Sequence, residues 1–289
     1  MVMLCGSMSK AAEHLYTSQP AISRLIQALE HETQFPLFIR SGAKITPTRE
    51  ALTFFREVQL YFNGIGYLEE VARRILAVQS ESLRISTTPA LAFGFLPRVI
   101  HLFKRTFPNV RVIYQVGRAE TVMYRLMSGG CDVGFIPTAP GIKGVHSTLF
   151  YQLPGICAIP KGHPLEKQDE ITVEMLADEP FITLTKDNTQ RVQMDRLFDE
   201  AGITPNIAME VQYGTNVCAF VGMGLGLSIV NPVTAHEYLS ADIAFRSFHS
   251  KILFTSALVV PEHRHSRVLE HFVAVAQKEI KTYCELVPC

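Results

Sequence analysis

Residues 7–30 read SMSKAAEHLYTSQPAISRLIQALE and carry two short helical patterns separated by a tight turn. Ser9 is predicted to cap the first helix and Ser18 the second, because a serine hydroxyl at this position accepts a hydrogen bond from a backbone N–H group. Small alanines, Ala11 and Ala12, lie where the helices would cross. The inward face of the second helix is predicted to comprise Ala21, Ile22, Leu25, Ile26 and Leu29. This arrangement is the format of a helix-turn-helix unit.

The second predicted helix presents polar residues on its outer side near its N-terminus, namely Gln19, Ser23 and Arg24. In a helix-turn-helix unit these positions face the major groove of DNA, where glutamine can read adenine and arginine can read guanine. An ordinary helical hairpin whose polar residues face water is the alternative, and it is the commoner structure. The pattern of residues alone leaves both interpretations open.

A basic hairpin is predicted directly after the second helix. Arg40, Lys44 and Arg49 flank a Ser-Gly-Ala turn between two short apolar runs. A hairpin in this place resembles a wing that lies over DNA phosphates or the minor groove.

A long helical pattern then runs from residue 48 to about residue 80. Thr46 is predicted to cap it, with Pro47 in its first turn. Its apolar residues follow steps of three and four, which is close to a heptad repeat. They are Ala51, Phe55, Val58, Phe62, Ile65, Leu68, Ala72 and Ile75. Such a helix cannot bury its apolar stripe alone, so the pattern predicts pairing with a second copy of the chain.

The composition excludes several classes of protein. The chain has 289 residues, 27 Lys and Arg against 27 Asp and Glu, and hence a net charge of zero. This balance rules out a uniformly basic nucleic-acid coat but not a local basic patch. Six scattered cysteines without ligand-like spacing are read as reduced thiols of a cytosolic protein rather than disulfides or a zinc site. We expect no transmembrane helix and no signal peptide, which argues against a periplasmic solute-binding protein.

From residue 83 onward, short apolar strands alternate with helices, a rhythm that predicts βαβ units and a parallel sheet. The first half has predicted strands at 83–87, 110–116 and 132–136 and helices at 95–107 and 120–127. The second half has strands at 181–184, 207–211 and 227–230 and helices at 189–201 and 215–223. A strand at 253–260 and a helix at 266–284 follow. Two similar halves, with residues 155–160 running between them, predict two lobes separated by a cleft.

Polar residues at strand ends and helix starts are the candidate ligand contacts in this cleft. Thr88 and Ala90 open a helix after the first strand, where free N–H groups suit a carboxylate. Thr138 ends another strand of the same lobe. Thr185 follows a strand across the cleft, and Thr215 and Asn216 open a helix there. The alternative is that these residues only cap helices and edge strands.

An enzyme is not expected, because the chain lacks GxSxG, HExxH and GxxxxGK[ST] patterns. His163 lies in a turn beside a strand, and His263 and His265 are interpreted as part of a solvated loop. Gly222, Gly224 and Gly226 follow a helix rather than a strand, the wrong order for dinucleotide binding. The sequence therefore predicts no catalytic residue, no metal and no cofactor. A solute receptor built from residues 82–289 alone explains the two lobes but not the helix-turn-helix pattern.

At this point the motifs resemble one family. AAEHLYTSQPAISR at 11–24, PLFIR at 36–40, TPTREA at 46–51, LRISTTPA at 83–90, PKGHPL at 160–165 and GLGLSIVNP at 224–232 are similar to the LysR-type transcriptional regulators. The resemblance covers nearly the whole chain. It implies an α/β protein with an N-terminal winged helix-turn-helix, a long linker helix and a two-lobed, periplasmic-binding-protein-like effector domain. It also implies a cytoplasmic homodimer or homotetramer that binds promoter DNA and a small-molecule effector, without a membrane.

Within the family, residues 89–91 and 230–232 resemble the branch that regulates lysine biosynthesis and opine catabolism. The implied effector is an amino acid or derivative such as lysine, diaminopimelate or an opine. The alternative is a cytosolic solute-binding protein of the same shape that does not bind DNA.

The resemblance also implies domain limits and site residues. The DNA-binding domain is expected at 1–47 with its first helix truncated, the linker helix at 48–81 and the effector domain at 82–289. Lobe 1 would comprise about 82–159 and 261–289, and lobe 2 about 160–260. The expected DNA contacts are Thr17, Ser18, Gln19, Pro20, Ser23, Arg24, Arg40 and Lys44. Among the candidate effector contacts, Thr88, Ala90, Thr138 and Thr185 fall on family positions that touch effectors.

Overall fold

A computed structural model describes residues 1–41, 44–55, 58, 82–138, 141, 144–186, 188–239, 242–249, 252–262 and 266–285. The chain divides into two compact units, Met1–Leu76 and Ala77–Cys289. Most of the predicted linker helix, including Phe62, lies outside the described residues, as do His263 and His265. In the described residues, no helix combines the length and apolar character that a membrane crossing requires.

The first unit has the element order of a winged helix-turn-helix. Helices α1 (Val2–Cys5), α2 (Met8–His14) and α3 (Gln19–Thr33) are followed by strands β1 (Phe38–Ser41) and β2 (Lys44–Pro47). The two strands pair in antiparallel orientation. A fourth helix, α4, follows and is described for residues 49–55 and 58.

Two of the predicted helix caps are wrong and one is confirmed. Ser7, not Ser9, caps α2, because its hydroxyl oxygen accepts the N–H of Lys10. Ser18 caps α3 as predicted, accepting the N–H of Ala21 at 3.4 Å. Thr46 lies within strand β2.

Thr48 takes the capping role at the start of α4. Its hydroxyl oxygen accepts the N–H of Ala51 at 3.0 Å and donates to the carbonyl of Pro36 at 2.8 Å. The same side chain therefore caps α4 and joins its start to the segment that leads into strand β1.

A buried cluster of the first unit comprises Val2, Met8, Ala11, Ala12 and Ile22, and Leu37 and Ala51 are buried as well. The predicted inward face of α3 is too wide, because the side chains of Leu25 and Leu29 are 65% and 39% exposed. Only the ridge of α3 that carries Ile22 and Ile26 packs against this cluster.

The second unit contains a five-stranded sheet with the strand order β4-β3-β5-β13-β6. Its strands are β3 (Ser82–Thr87), β4 (Arg111–Val116), β5 (Val133–Ile136), β6 (Val145–Pro154) and β13 (Leu253–Pro261). Strands β3, β4 and β5 are parallel, whereas β13 runs antiparallel to both of its neighbours. The associated helices are α5 (Pro89–Ala92), α6 (Phe95–Thr106), α7 (Ala119–Met127) and α11 (Arg267–Glu285). We call this part lobe 1.

Lobe 2 contains a four-stranded sheet ordered β11-β7-β12-β8 and a parallel pair of strands, β10 and β9. The strands are β7 (Ile156–Pro160), β8 (Glu170–Ile171), β9 (Pro180–Leu184), β10 (Asn206–Val211), β11 (Ser228–Val230) and β12 (Ile243–Phe248). Helices α8 (Thr189–Glu200) and α9 (Gly214–Gly222) belong to this lobe. The short helix α10 (Pro232–Ala235) follows β11, and its Val233 packs into the core of lobe 1.

The sheets are mixed rather than parallel as predicted. Strands β7 and β13 cross between the lobes, and each enters its new sheet in antiparallel orientation. The predicted lobe limits at 159/160 and 260/261 therefore each misplace one strand. At the crossing, the N–H of Gly155 donates to the carbonyl of Ile252 at 2.9 Å, which holds the two crossing segments side by side.

Each lobe buries apolar clusters of its own, and Phe254 of β13 packs with a cluster of lobe 2. Lobe 1 buries a cluster around Phe95, Phe103 and Phe272 between its sheet and helices α6 and α11. Lobe 2 buries two clusters, one of which contains Met194 and Phe198 of α8. The five cysteines that the structure describes are free thiols. Burial raises the pKa of Cys218 to about 12, so this thiol stays protonated.

Candidate functional site

The N-terminal turn of α3 presents a polar surface. Thr17, Ser18, Gln19 and Pro20 are exposed, as is Arg24 one turn further along the helix. The side chain of Ser23 is half-buried. The first turn contains no acidic residue, so the partial positive charge of the helix N-terminus is not offset there. The arrangement suits a polyanion such as the DNA backbone.

The C-terminal end of α3 contacts the start of the wing, the hairpin of β1 and β2. The carboxylate of Glu30 accepts the N–H groups of Leu37 and Phe38 at 2.7 and 3.2 Å. Because Phe38 begins β1, this contact fixes where the hairpin starts relative to the helix. Arg40 lies in β1 and Lys44 begins β2, but the side chains of both fall outside what the structure describes.

In the second unit, a cleft between the lobes contains two adjoining cavities of about 260 and 120 Å³. They share several lining residues from both lobes, so they form one continuous space. The shared residues are Thr88, Pro89, Pro137, Asn188, Gln190, Gln212 and Tyr213. The cleft lies at the carboxyl ends of strands β3, β5, β9 and β10, where α/β proteins commonly bind ligands.

The larger cavity is polar and carries both signs of charge. Arg118 and Glu120, at the start of α7, line it from lobe 1, together with Thr138. Thr185 and Thr189 line it from lobe 2. A guanidinium and a carboxylate on one rim can bind the carboxylate and the ammonium group of a zwitterion.

Backbone hydrogen bonds hold the lobe 2 wall of this cavity. The N–H of Thr185 donates to the carbonyl of Val211 at 3.0 Å, and the N–H of Asn188 donates to the carbonyl of Thr185 at 3.0 Å. The side-chain oxygen of Asn188 accepts the N–H of Gln190 at 2.9 Å and thereby caps α8. The wall therefore leads directly into the capped N-terminus of helix α8.

The smaller cavity is lined by residues of both lobes and has an apolar wall that includes Leu91, Leu184 and Val217. The side-chain amide of Asn231 in lobe 2 donates to the hydroxyl oxygen of Tyr151 in lobe 1 at 2.8 Å. Burial raises the pKa of Tyr151 well above its usual value, so the hydroxyl stays protonated. This hydrogen bond links the two lobes at the base of the cleft.

The structure brings most of the expected effector contacts together. Thr88, Thr138 and Thr185 line the larger cavity. Ala90 and Thr215, again with Thr88, line the smaller one. Asn216 is exposed in the first turn of α9 and is not among the described lining residues of either cavity.

One part of the expected chemistry at Thr88 is wrong. Its N–H is not free for a ligand, because it donates to the carbonyl of Phe135 at 3.1 Å. The hydroxyl of Thr88 makes no capping bond to helix α5.

Several cleft residues are missing from the sequence-based prediction, namely Arg118, Asn188, Gln190, Gln212, Tyr213, Tyr151 and Asn231. Gln212 directly follows β10, and Asn188 stands in the N-cap position of α8, so the rule that ligands bind at strand ends and helix starts was sufficient to find them. Tyr151 lies inside a strand that the sequence did not reveal. Among the described residues, no group of three His, Cys, Asp or Glu side chains is placed to hold a metal ion.

Comparison with known families assigns both units. The family described as "Bacterial regulatory helix-turn-helix protein, lysR family" matches residues 1–52. The family described as "LysR substrate binding domain" matches residues 77–281, which is more than half of the chain.

Individual relatives agree with these matches. The regulatory protein NocR of Agrobacterium tumefaciens (strain T37) is 34% identical over 260 residues, covering 90% of this chain and 87% of NocR. The octopine catabolism/uptake operon regulatory protein OccR of Rhizobium meliloti is 34% identical and covers 86% of this chain and 82% of OccR. The crystal structure of full-length BenM shares the fold with a TM-score of 0.58 at 21% identity, covering 98% of this chain and 94% of BenM. The chain therefore belongs to the LysR family and is a DNA-binding transcriptional regulator with an effector-binding domain, not an enzyme.

Proposed function

We propose that the effector of this regulator is a small amino-acid-like zwitterion, such as lysine, diaminopimelate or an opine, bound in the cleft between the lobes. The observation that carries the proposal is the charge on the larger cavity, where Arg118 and Glu120 lie on one rim. A charged ligand in a cleft needs hydrogen-bond partners for its oxygens, since each unmet one costs about 1–3 kcal/mol. Threonine hydroxyls from both lobes and side-chain amides from lobe 2 supply such partners.

The apolar wall of the smaller cavity supports a ligand with an aliphatic arm. The amino-acid head would occupy the larger cavity, and the arm would lie over Leu91, Leu184 and Val217. OccR is named for octopine catabolism and uptake, which favours an opine within this class.

The DNA-binding role is assigned to the start of α3 and to the wing. The proposed contacts are Thr17, Ser18, Gln19, Pro20, Ser23 and Arg24, with Arg40 and Lys44 on the phosphates. The proposed domain limits remain 1–47, 48–81 and 82–289, and the site of action is the cytoplasm, where the promoter lies. An effector alters the regulator only if it binds one arrangement of the chain more tightly than another.

The effector class is tested by calorimetry on the full chain with lysine, diaminopimelate and octopine. Benzoate, an aromatic carboxylate without an ammonium group, is the comparison. We expect one of the three zwitterions to bind and benzoate not to bind. The variant Thr88→Val should weaken the bound zwitterion by about 1–2 kcal/mol, roughly five- to thirtyfold in Kd, because it removes a hydroxyl from both cavities.

The matched control is Thr106→Val, at the exposed end of α6 and away from the cleft. It should leave the affinity unchanged. Strong binding of benzoate together with an unaffected Thr88→Val variant would show that the cleft takes a different class of ligand.

The oligomer is tested through the apolar stripe of the linker helix. We propose a homotetramer in which linker helices pair through Phe55, Val58, Phe62 and Ile65. A charge at Phe62 would be buried in that pairing, so light scattering on Phe62→Glu should show smaller species than the wild type. Gln59→Glu, off the stripe, is the control and should keep the wild-type mass. A wild-type mass for Phe62→Glu would mean that the stripe packs within one chain.

A further inference from the structure

Arg191, in the first turn of α8, lies behind the cleft wall rather than in the cleft. It is only 3% exposed. Its Nε donates to Asp195 Oδ1 at 2.6 Å, and its Nη1 donates both to the carbonyl oxygen of Leu184 and to Glu210 Oε1 at 2.7 Å. One guanidinium therefore connects helix α8 with the ends of strands β9 and β10.

The hydrogen bond to the carbonyl oxygen of Leu184 connects the two ends of a segment that lines the cleft. Leu184 is the last residue of β9, and residues 185–190 run from it to Arg191 itself. Thr185, Asn188, Thr189 and Gln190 of this segment line the larger cavity. The hydrogen bond from Arg191 to Leu184 therefore adds a side-chain connection to the backbone hydrogen bonds at Thr185 and Asn188.

The bond to Glu210 holds the second cleft-lining segment of the same lobe. Glu210 lies in β10, two residues before Gln212, which lines both cavities together with Tyr213. The N–H of Thr185 reaches the carbonyl of Val211 at 3.0 Å and joins the two segments directly. The buried guanidinium of Arg191 is thus hydrogen-bonded next to both of the segments with which lobe 2 lines the cleft.

The carboxylate partners of Arg191 are only half-buried, since the side chains of Asp195 and Glu210 are 44% and 41% exposed. Ion pairs whose carboxylates reach water contribute little to stability, because water screens them, so the pairs are weak evidence for a purely stabilising role. The planar guanidinium offers donors in several fixed directions, which a lysine ammonium group does not. The chemistry of Arg191 is therefore suited to fixing the positions of three backbone elements relative to one another.

We propose that Arg191 is a positioning residue for effector binding, which sets the spacing between the cleft-lining residues Thr185 and 188–190 and segment 212–213 without touching the effector. This inference rests on the proposed function, since it takes the cleft as the effector site. The family match does not assign it, and the sequence pattern did not single it out.

The first test needs no effector. Hydrogen exchange of the full chain is compared for the wild type, Arg191→Met and Arg191→Lys, with Arg196→Met as the control at an exposed arginine of the same helix. We expect exchange at Thr185, at residues 188–190 and at segment 212–213 to rise about tenfold in Arg191→Met, with strand Ser82–Thr87 of lobe 1 unchanged. Arg191→Lys should show a smaller rise in the same segments. If Arg191→Met does not fold, Arg191→Lys decides the outcome by the same comparison.

The second test separates positioning from stability. The affinity for octopine, lysine and diaminopimelate is measured for Arg191→Met and for Met194→Ala, a cavity-forming change in the core of the same lobe. Arg191→Met should weaken the compound that binds the wild type by about tenfold or more. Met194→Ala should lower the melting temperature while keeping the affinity within about twofold.

The outcomes are distinguishable. Unchanged exchange in both cleft segments, or an equal loss of affinity in Met194→Ala, would overturn the role of Arg191. Failure of all three compounds to bind the wild type would contradict the proposed effector class, while the exchange experiment would still decide whether Arg191 positions the walls.

Discussion

Replacing Arg24 by Ala is expected to weaken binding to a specific promoter site by about 1–3 kcal/mol, roughly five- to 150-fold in Kd. Arg24 is exposed on α3 one turn from its start, where a recognition helix meets base edges. Binding to scrambled DNA of the same length should fall by much less, because an arginine that reads a guanine contributes chiefly to specificity. Fluorescence anisotropy on the two duplexes, at one fixed salt concentration, measures both losses.

Glu32→Ala is the control for this measurement, since Glu32 is exposed in the last turn of the same helix. It should leave the ratio of specific to scrambled binding unchanged. If Arg24→Ala lowers both affinities by the same factor, Arg24 contacts phosphate and the base reader lies elsewhere on α3.

Replacing Gly226 by Ala is expected to destabilise lobe 2 by about 3 kcal/mol or more, enough to lower its melting temperature by about 6–12 °C. Gly226 has a φ angle of +152°, and a Cβ atom there would lie 2.5 Å from the carbonyl oxygen of Pro180. That same oxygen accepts the N–H of Leu227 at 2.8 Å, and the carbonyl of Leu227 accepts the N–H of Ile182 at 2.8 Å. A displacement would therefore separate β9 from the segment that leads into β11.

Gly224→Ala provides a matched control two residues away. Gly224 has a φ angle of +77°, but a Cβ atom there would have no neighbour within 4 Å. Only the cost of a left-handed backbone applies, about 1–2 kcal/mol. Differential scanning fluorimetry on the full chain should rank wild type, Gly224→Ala and Gly226→Ala in descending order. Equal losses would mean that backbone conformation, not the contact with Pro180, decides the cost.

Much of the fold was predictable because local patterns determined it. Helix α6 was expected at 95–107 and is found at Phe95–Thr106, since its apolar residues recur with a helical period. The cap at Ser18 followed from the same kind of local rule. The cap of α2 was misassigned because Ser7 and Ser9 both precede the apolar run, and only the extended backbone at Ser7 shows which residue lies outside the helix.

The strands that the sequence did not predict are those that form only by pairing with residues far away in the chain. Strand β6 pairs with β13, about a hundred residues later, and its exposed and buried residues do not alternate cleanly. No local pattern states that a crossing strand will insert next to β5 in antiparallel orientation.

The same distinction applies to the residues of the candidate cleft. The threonines at strand ends were predictable, whereas Tyr151 meets Asn231 across the lobes only because the sheets are folded. The exposure of Leu25, which the sequence placed on the inward face, could not be predicted either. Periodicity shows which residues share a helix face but not how much of that face is covered.

The placement of β13 between β5 and β6 has a consequence for synthesis on the ribosome. All strands of lobe 2 have emerged once Phe248 has been synthesised, but the sheet of lobe 1 stays open until Leu253–Pro261 arrives to fill the gap. At a translation rate of about 5–20 residues per second, the nascent chain exposes two unpaired strand edges for roughly 5–20 s. Such edges invite pairing with other chains. A product that terminates before residue 253 would keep them exposed permanently and is expected to aggregate, although its DNA-binding unit is intact.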